Sequence, residues 1–164
     1  MTFQIRRAEA ADLDAIGAIT VRAYVEGGFM HPESDYAETL ADARDRAEKA
    51  ELWVAVEGDG EVLASVTFAP PGSEYNEVAS PGEGELRMLA ASPEARGRGI
   101  GEALVRHCVQ RARDLGLTAV VLSTQPTMAA AHRIYEAVGF RRTPEKDWSP
   151  IPGVDLLAFR LDLA

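Results

Sequence analysis

Between Glu85 and Gly116 the chain reads as a strand, a turn of glycines and arginines, and an amphipathic helix. No other segment limits the fold so tightly. The turn is Arg96-Gly97-Arg98-Gly99-Ile100-Gly101. Glycines at alternate positions let the main chain curve closely round a bulky oxyanion, and the N–H groups left over at the start of the following helix point at it with the helix dipole behind them. Two arginines add charge capable of bidentate binding. The segment is therefore expected to hold a phosphate.

Three phosphate-binding patterns compete for it. A P-loop needs a lysine after its last glycine, and no lysine lies between Lys49 and Lys146. A dinucleotide fingerprint needs Gly-x-Gly-x-x-Gly, but Gly99-Ile100-Gly101 is followed by Glu102, Ala103 and Leu104, and the next strand ends in Ser123-Thr124-Gln125 without a ribose-binding acid. The third pattern, Gln/Arg-x-x-Gly-x-Gly/Ala, is met at Arg96, Gly99 and Gly101. Downstream, Met128 to Phe140 carries Ala131, Tyr135, Gly139 and Phe140 in the arrangement Ala-x-x-x-Tyr-x-x-x-Gly-Phe. On these two blocks the chain resembles the GCN5-related N-acetyltransferase (GNAT) superfamily, and with element order and length the resemblance covers nearly all of it.

A coarse pass supplies that order. Phe3 to Arg7 reads as a first strand, and Leu13, Ile16, Ile19 and Ala23 then recur at helical spacing. Tyr36, Leu40, Ala43 and Ala47 mark one second, very polar helix. Leu52 to Val56 and Glu61 to Phe68 are β-rich runs joined by the hairpin signal Gly58-Asp59-Gly60. Pro70 to Gly84 is a long loop, of a length more often functional than merely connective. Leu86 to Ala91 follows, then the turn, then a helix whose Ile100, Leu104, Cys108, Ala112 and Leu115 form one apolar stripe. Thr118 to Ser123 is expected to run parallel to the strand before the turn. A helix carrying Tyr135 and ending at Gly139 comes next. Arg141 to Thr143 and Val154 to Leu163 are the expected last strands, split by a loop from Pro144 to Gly153.

Length and composition fit one domain over residues 1–164, 46% hydrophobic and 26% charged. There is no apolar run long enough to span a bilayer and no leader, so the expected compartment is the cytoplasm, without membrane association. Cys108 is the only cysteine and reads as a buried small hydrophobe. A formal charge of −9 opposes nucleic-acid binding. Its distribution is uneven: Met30 to Glu61 carries ten acids against three bases, while Arg96 to Arg113 carries five arginines against Glu102. Arg106, Arg111 and Arg113 are read as a solvated helix face, whereas Arg96 and Arg98 sit in the turn itself. No His/Cys/Asp spacing suggests a metal.

The resemblance implies an α/β (α+β) fold with a central mixed, twisted sheet of six to seven strands, splayed between the fourth and fifth, flanked by about four helices. It implies acetyl-CoA, or another acyl-CoA, as co-substrate and an amine as acceptor. The pantetheine arm would enter the splay and bond to Leu89, Ala90 and Ala91. The pyrophosphate would rest on Arg96, Gly97, Arg98, Gly99, Ile100, Gly101 and Glu102, mainly through main-chain N–H groups. Tyr135 would be the general acid for the departing thiolate. Glu85, eleven positions before Arg96, stands where histone-type members carry a catalytic base, and is equally read as a solvated strand end. Glu83, Asp147, His31 or a water are the other bases. Met128 replaces an asparagine that many members use to touch the pantetheine. The acceptor pocket would be lined by Tyr24, Phe29, Tyr36, Tyr75 and Trp148 with acids nearby, which suits a cationic amine. A non-catalytic acyl-CoA-binding or regulatory module is the alternative, and homodimers are common among members.

Overall fold

The computed structural model describes residues 2–163. The chain opens with β1 (Phe3–Arg7), then three helices, α1 (Leu13–Glu26), α2 (Tyr36–Ala41) and α3 (Ala43–Lys49). Next come β2 (Glu51–Glu57), β3 (Val62–Ala69), β4 (Glu83–Ala91), α4 (Ile100–Asp114), β5 (Ala119–Thr124) and α5 (Ala129–Val138). The chain closes with β6 (Arg141–Arg142), β7 (Trp148–Ile151) and β8 (Val154–Asp162). The strands join in the order β1-β2-β3-β4-β5-β8-β6, with β7 paired to β8. Only β4 and β5 run parallel, across the crossover helix α4.

Local chemistry accounts for most boundaries. The β2–β3 hairpin turns at the expected glycines, with Gly60 left-handed at φ +92°. Gly139 at φ +114° ends α5, and the Phe140 N–H returns to the Tyr135 carbonyl at 2.9 Å while its ring meets Tyr135. Alternation divides the core. Val66, Phe68, Leu86, Val120 and Leu122 face α4, where Leu104, Cys108 and Ala112 bury with them. The other face of the sheet is covered by α1, α2 and α3, through Leu13, Ile16, Leu40 and Ala43.

Eight strands and five helices exceed the expected six to seven and four, for identifiable reasons. The single helix expected over Tyr36 to Ala47 divides at Asp42, which leaves helical geometry (φ −86°, ψ 72°) and whose carboxylate caps α3 by accepting the Asp45 N–H at 3.1 Å. The expected loop Pro144 to Gly153 contains β7, an edge strand whose Pro150 obscures its pattern. β4 begins at Glu83, before the predicted Leu86, so Glu85 lies in the strand interior and is fully buried. Leu115 is 41% exposed and drops out of the α4 stripe.

Candidate active site

The parallel ladder between β4 and β5 runs from Glu83 opposite Ala119 to Leu86 opposite Leu122 and stops. From Arg87 and Ser123 onward the facing edges have no strand partner among the described residues. A bulge marks the point of departure. On β3, Thr67 faces Arg87 and Ser65 faces Ala90, so β4 uses three steps where β3 uses two. Met88 supplies the extra residue at φ +59°, a conformation that costs a non-glycine residue about 1–2 kcal/mol. Its effect is to reset the alternation. Leu86 and Leu89 both face the α4 core, while Arg87 and Met88 both face the α1–α2 side.

The glycine turn follows. The Arg96 N–H is already spent on the Pro93 carbonyl at 3.2 Å, so the amides available begin one residue later than expected. Those of Gly97, Gly99, Ile100, Gly101 and Glu102 have no acceptor among the described residues, and the helical ladder starts at Ala103 N–H to Gly99 O, 3.0 Å. Gly97 and Gly99 are left-handed, at φ +76° and +73°. Gly101 has a different role from the one its spacing suggests: a Cβ there would lie 3.0 Å from Ile134 Cδ1, so it lets α5 pack on α4. Arg98 binds Glu57 at 2.6 Å, which commits its guanidinium to the protein. Arg96 is exposed and makes no ion pair among the described residues.

Tyr135 lies on the α4–α5 side of the splay, its ring 5.8 Å from Phe140 and 6.1 Å from Phe159. Burial pushes its hydroxyl pKa up, so it stays protonated and can donate. Tyr24, on α1 across the sheet, is raised first by burial and then by the Tyr36 and Tyr135 hydroxyls, so groups from opposite faces interact at the splay.

Glu85 is held differently from a solvated strand end. Its Oε1 accepts the N–H groups of Glu77, Val78 and Ala79 at 2.8, 2.9 and 3.0 Å, and its Oε2 is buried without a partner. Burial raises its pKa against those three bonds, which lower it. The carboxylate thus anchors the loop from Pro70 to Gly82. Among the other candidate bases, Glu83 is tied to Arg160 and to the Ser80 N–H, and Asp147 is clamped by Arg142 and the Ala158 N–H. The Arg142 guanidinium holds Asp147 down to about 2.

A cavity of about 720 Å³ opens on the α1–α2 side. Tyr24, Phe29, Tyr36, His31 and Met128 line it, as do Arg87 and Met88. Tyr75 and Trp148, expected there, do not: Tyr75 is buried beneath α3 with its hydroxyl on Asp45 at 2.5 Å. Of the ten acids between Met30 and Glu61, only Asp35 reaches the cavity, joined by Glu77. Gln125 spans the mouth from β5, donating to the Phe29 carbonyl at 3.0 Å. The sequence reading missed Arg87 and Gln125. For Arg87 a signal exists: it is the lone cation inside an otherwise apolar run, Leu86 to Ala91.

The sequence profile described as the Acetyltransferase (GNAT) family matches residues 13–140. The chain belongs to that family. Mycothiol acetyltransferase of Cellulomonas flavigena is 35% identical over 89% of this chain and 44% of its own length. The chain spans 34% to 59% of the first relatives it matches. A Staphylococcus aureus acetyltransferase of the GNAT family superposes with a TM-score of 0.79 at 13% identity, covering 99% of this chain and all of that one. The Salmonella typhimurium protein yncA, solved with its cofactor acetyl-CoA, gives 0.69 at 22% identity over 100% of this chain and 95% of its own. Both establish the GNAT fold. The family match ends at Phe140, so the cavity residues Pro150, Ile151, Val154 and Leu156 lie outside it.

Among the described residues no helix is long and apolar enough to cross a membrane, and no three His, Cys, Asp or Glu side chains cluster as a metal site would require.

Proposed function

We propose that the protein transfers an acetyl group from acetyl-CoA to an amine seated in the α1–α2 cavity. One observation carries this reading: amides without acceptors at Gly97, Gly99, Ile100, Gly101 and Glu102 stand beside a strand edge left unpaired from Arg87 to Ala91. Buried or half-buried main-chain groups need partners, and a diphosphate followed by an amide-bearing arm supplies them in that order. That the Salmonella fold neighbour was solved with acetyl-CoA supports the choice of ligand.

Acetyl-CoA brings the acetyl group as a thioester. The amides of Gly97, Gly99, Ile100, Gly101 and Glu102 and the Arg96 side chain would hold its pyrophosphate, and Leu89, Ala90 and Ala91 its pantetheine. An aliphatic amine has a solution pKa of about 10, so it must shed a proton before attacking. We assign that proton to a water, because Glu85 is fully buried and absent from the cavity wall. Glu85 then acts as a positioning residue, through the loop amides it holds. An N–H of the open β4 edge near Leu89 donates to the acyl oxygen as charge develops on it. The C–N bond forms, the C–S bond breaks, and the Tyr135 hydroxyl gives its proton to the departing sulfur.

Replacement of Tyr135 by phenylalanine tests the assignment. The expected result is a fall in kcat of roughly 10²–10⁴-fold with acetyl-CoA affinity retained. Unchanged kcat removes Tyr135 from the chemistry. A parent protein that binds acetyl-CoA and acetylates no amine is the non-catalytic module instead.

A further inference from the structure

The cavity's charges are arranged by depth. Asp35 and Glu77 are exposed at the rim. Arg87 sits inside, its side chain 15% exposed, next to Met88 at the start of the splay. Its Nη2 donates to the Tyr36 hydroxyl at 3.1 Å and its Nη1 reaches the Tyr75 carbonyl at 3.3 Å. Its Nε–H has no acceptor among the described residues. The Glu77 carboxylate lies 3.3 Å from Nη2, on a side chain 32% exposed that can turn to water.

A second guanidinium stands behind. Arg46 is fully buried; its Nη1 donates to the carbonyls of Thr39 and Leu40, both at 2.9 Å, at the end of α2. Its Nε and Nη2 are buried without partners, and no carboxylate pairs with it among the described residues. Burial dominates and lowers its pKa, because Asp42 and Asp45 act on it only from a distance. Arg46 and Arg87 both act electrostatically on the Tyr24 and Tyr36 hydroxyls, which line the cavity. The inner end of the cavity therefore presents the Arg87 guanidinium with phenolic groups around it, although the chain as a whole is acidic.

We propose that the acceptor carries a carboxylate close to its amine, as an amino acid does, and that Arg87 is the ligand of that carboxylate. The inference rests on the acyltransferase reading above. Spacing sets how close the two groups are. Arg87 and Leu89 are two positions apart on β4, and the Met88 bulge between them makes the advance shorter than in a regular strand. Both belong to one short stretch of β4, so a small acceptor that carries an amine and a carboxylate can reach the two together. The acid displaces Glu77 from Arg87, exchanging one carboxylate for another, so the guanidinium stays paired throughout. A polyamine or a lysine side chain would instead drive a bare cation toward Arg87.

The test uses a panel of L-amino acids, each beside its primary amide, which keeps the amine and removes the charge. Transfer is followed by CoA release, binding by calorimetry in the presence of CoA, and acetyl-CoA binding by separate titration. The acids should lead their amides by about tenfold or more in kcat/KM, the scale of one charge-assisted pair. Arg87→Gln should abolish that lead, mainly by raising KM for the acids more than for their amides, and Arg87→Lys should restore part of it. The parent comparison stands even where the variants fail to fold. Amides that match acids in the parent overturn the inference, as does a parent that neither binds nor acetylates any acid. Equal slowing of acids and amides by Arg87→Gln overturns it too. If amides are acetylated without any preference for acids, only the carboxylate assignment falls; if acetyl-CoA does not bind, the acyltransferase reading falls with it.

Discussion

The glycine turn and the α1–α2 cavity flank the same splay on opposite faces of the sheet, and they are built from different parts of the chain. The turn offers main-chain N–H groups from five residues between Gly97 and Glu102, held open by two left-handed glycines. The cavity offers side chains from α1, α2, the loop before β4, the β4 bulge, the end of β5 and the β7–β8 hairpin. Recognition through backbone depends on φ angles, so it writes a short motif into the sequence. Recognition through side chains gathered from distant segments writes none, and it can change acceptor without disturbing the turn.

The strongest way to break this comparison is at Gly17. A Cβ there would lie 2.3 Å from the Ala41 carbonyl oxygen, a backbone atom that cannot turn aside. Gly17→Ala should push α2 outward and cost about 3 kcal/mol, the upper end for overpacking. Denaturant unfolding measures the loss. Acceptor KM should rise while acetyl-CoA affinity is kept; equal damage to both would mean the two faces are not independent.

On the turn itself, Gly99→Ala places a side chain in a left-handed conformation, at about 1–2 kcal/mol. Acetyl-CoA affinity should fall about tenfold by titration, with acceptor KM unmoved. Gly101→Ala is the control: its new methyl meets the flexible tip of Ile134, so affinity should hold. A tenfold loss there would mean that the phosphate site needs the missing side chain at Gly101 as well as its amide.

Glu85→Gln sharpens the assignment of the loop. One oxygen can no longer serve three amides with full charge, so hydrogen exchange at Glu77, Val78 and Ala79 should quicken several-fold. A kcat loss beyond about 10²-fold with exchange unchanged would make Glu85 the base after all.

The smallest effect concerns Asp147. Its pKa is lowered to about 2 in the folded protein, from an unfolded value near 3.9. A lowered folded value means the clamp on Arg142 stabilises above the unfolded pKa and is lost as pH falls toward 2. Asp147→Asn should therefore flatten the acid limb of a stability profile between about pH 4 and pH 2 and leave acetyl-CoA binding alone. Parallel parent and variant profiles would contradict this.

What was legible in the sequence follows the same division. Gly99 and Gly139 mark the turn and the end of α5 because each position is set by local geometry. The division at Asp42 was hidden by a helical period that continues through it, and β7 by Pro150. Arg87 could be seen as an odd cation in a strand, but its direction depends on the Met88 bulge, which shifts the alternation by one residue. No composition or period encodes that shift. The acidic run from Met30 to Glu61 fits a cationic acceptor and a solvated face equally, because side chains choose between water and cavity by packing; of its ten acids Asp35 lines the cavity and the rest face elsewhere.

The most direct measurement is an amide-resolved NMR titration with acetyl-CoA, with NAD and ATP as parallel ligands. The amides of Gly97, Gly99, Ile100, Gly101 and Glu102 should shift together with those of Leu89 to Ala91, with one dissociation constant, and acetyl-CoA should bind more tightly than either nucleotide. Shifts that spare the β4 edge, or a stronger response to NAD or ATP, would contradict a diphosphate held at the turn with its thioester arm in the splay.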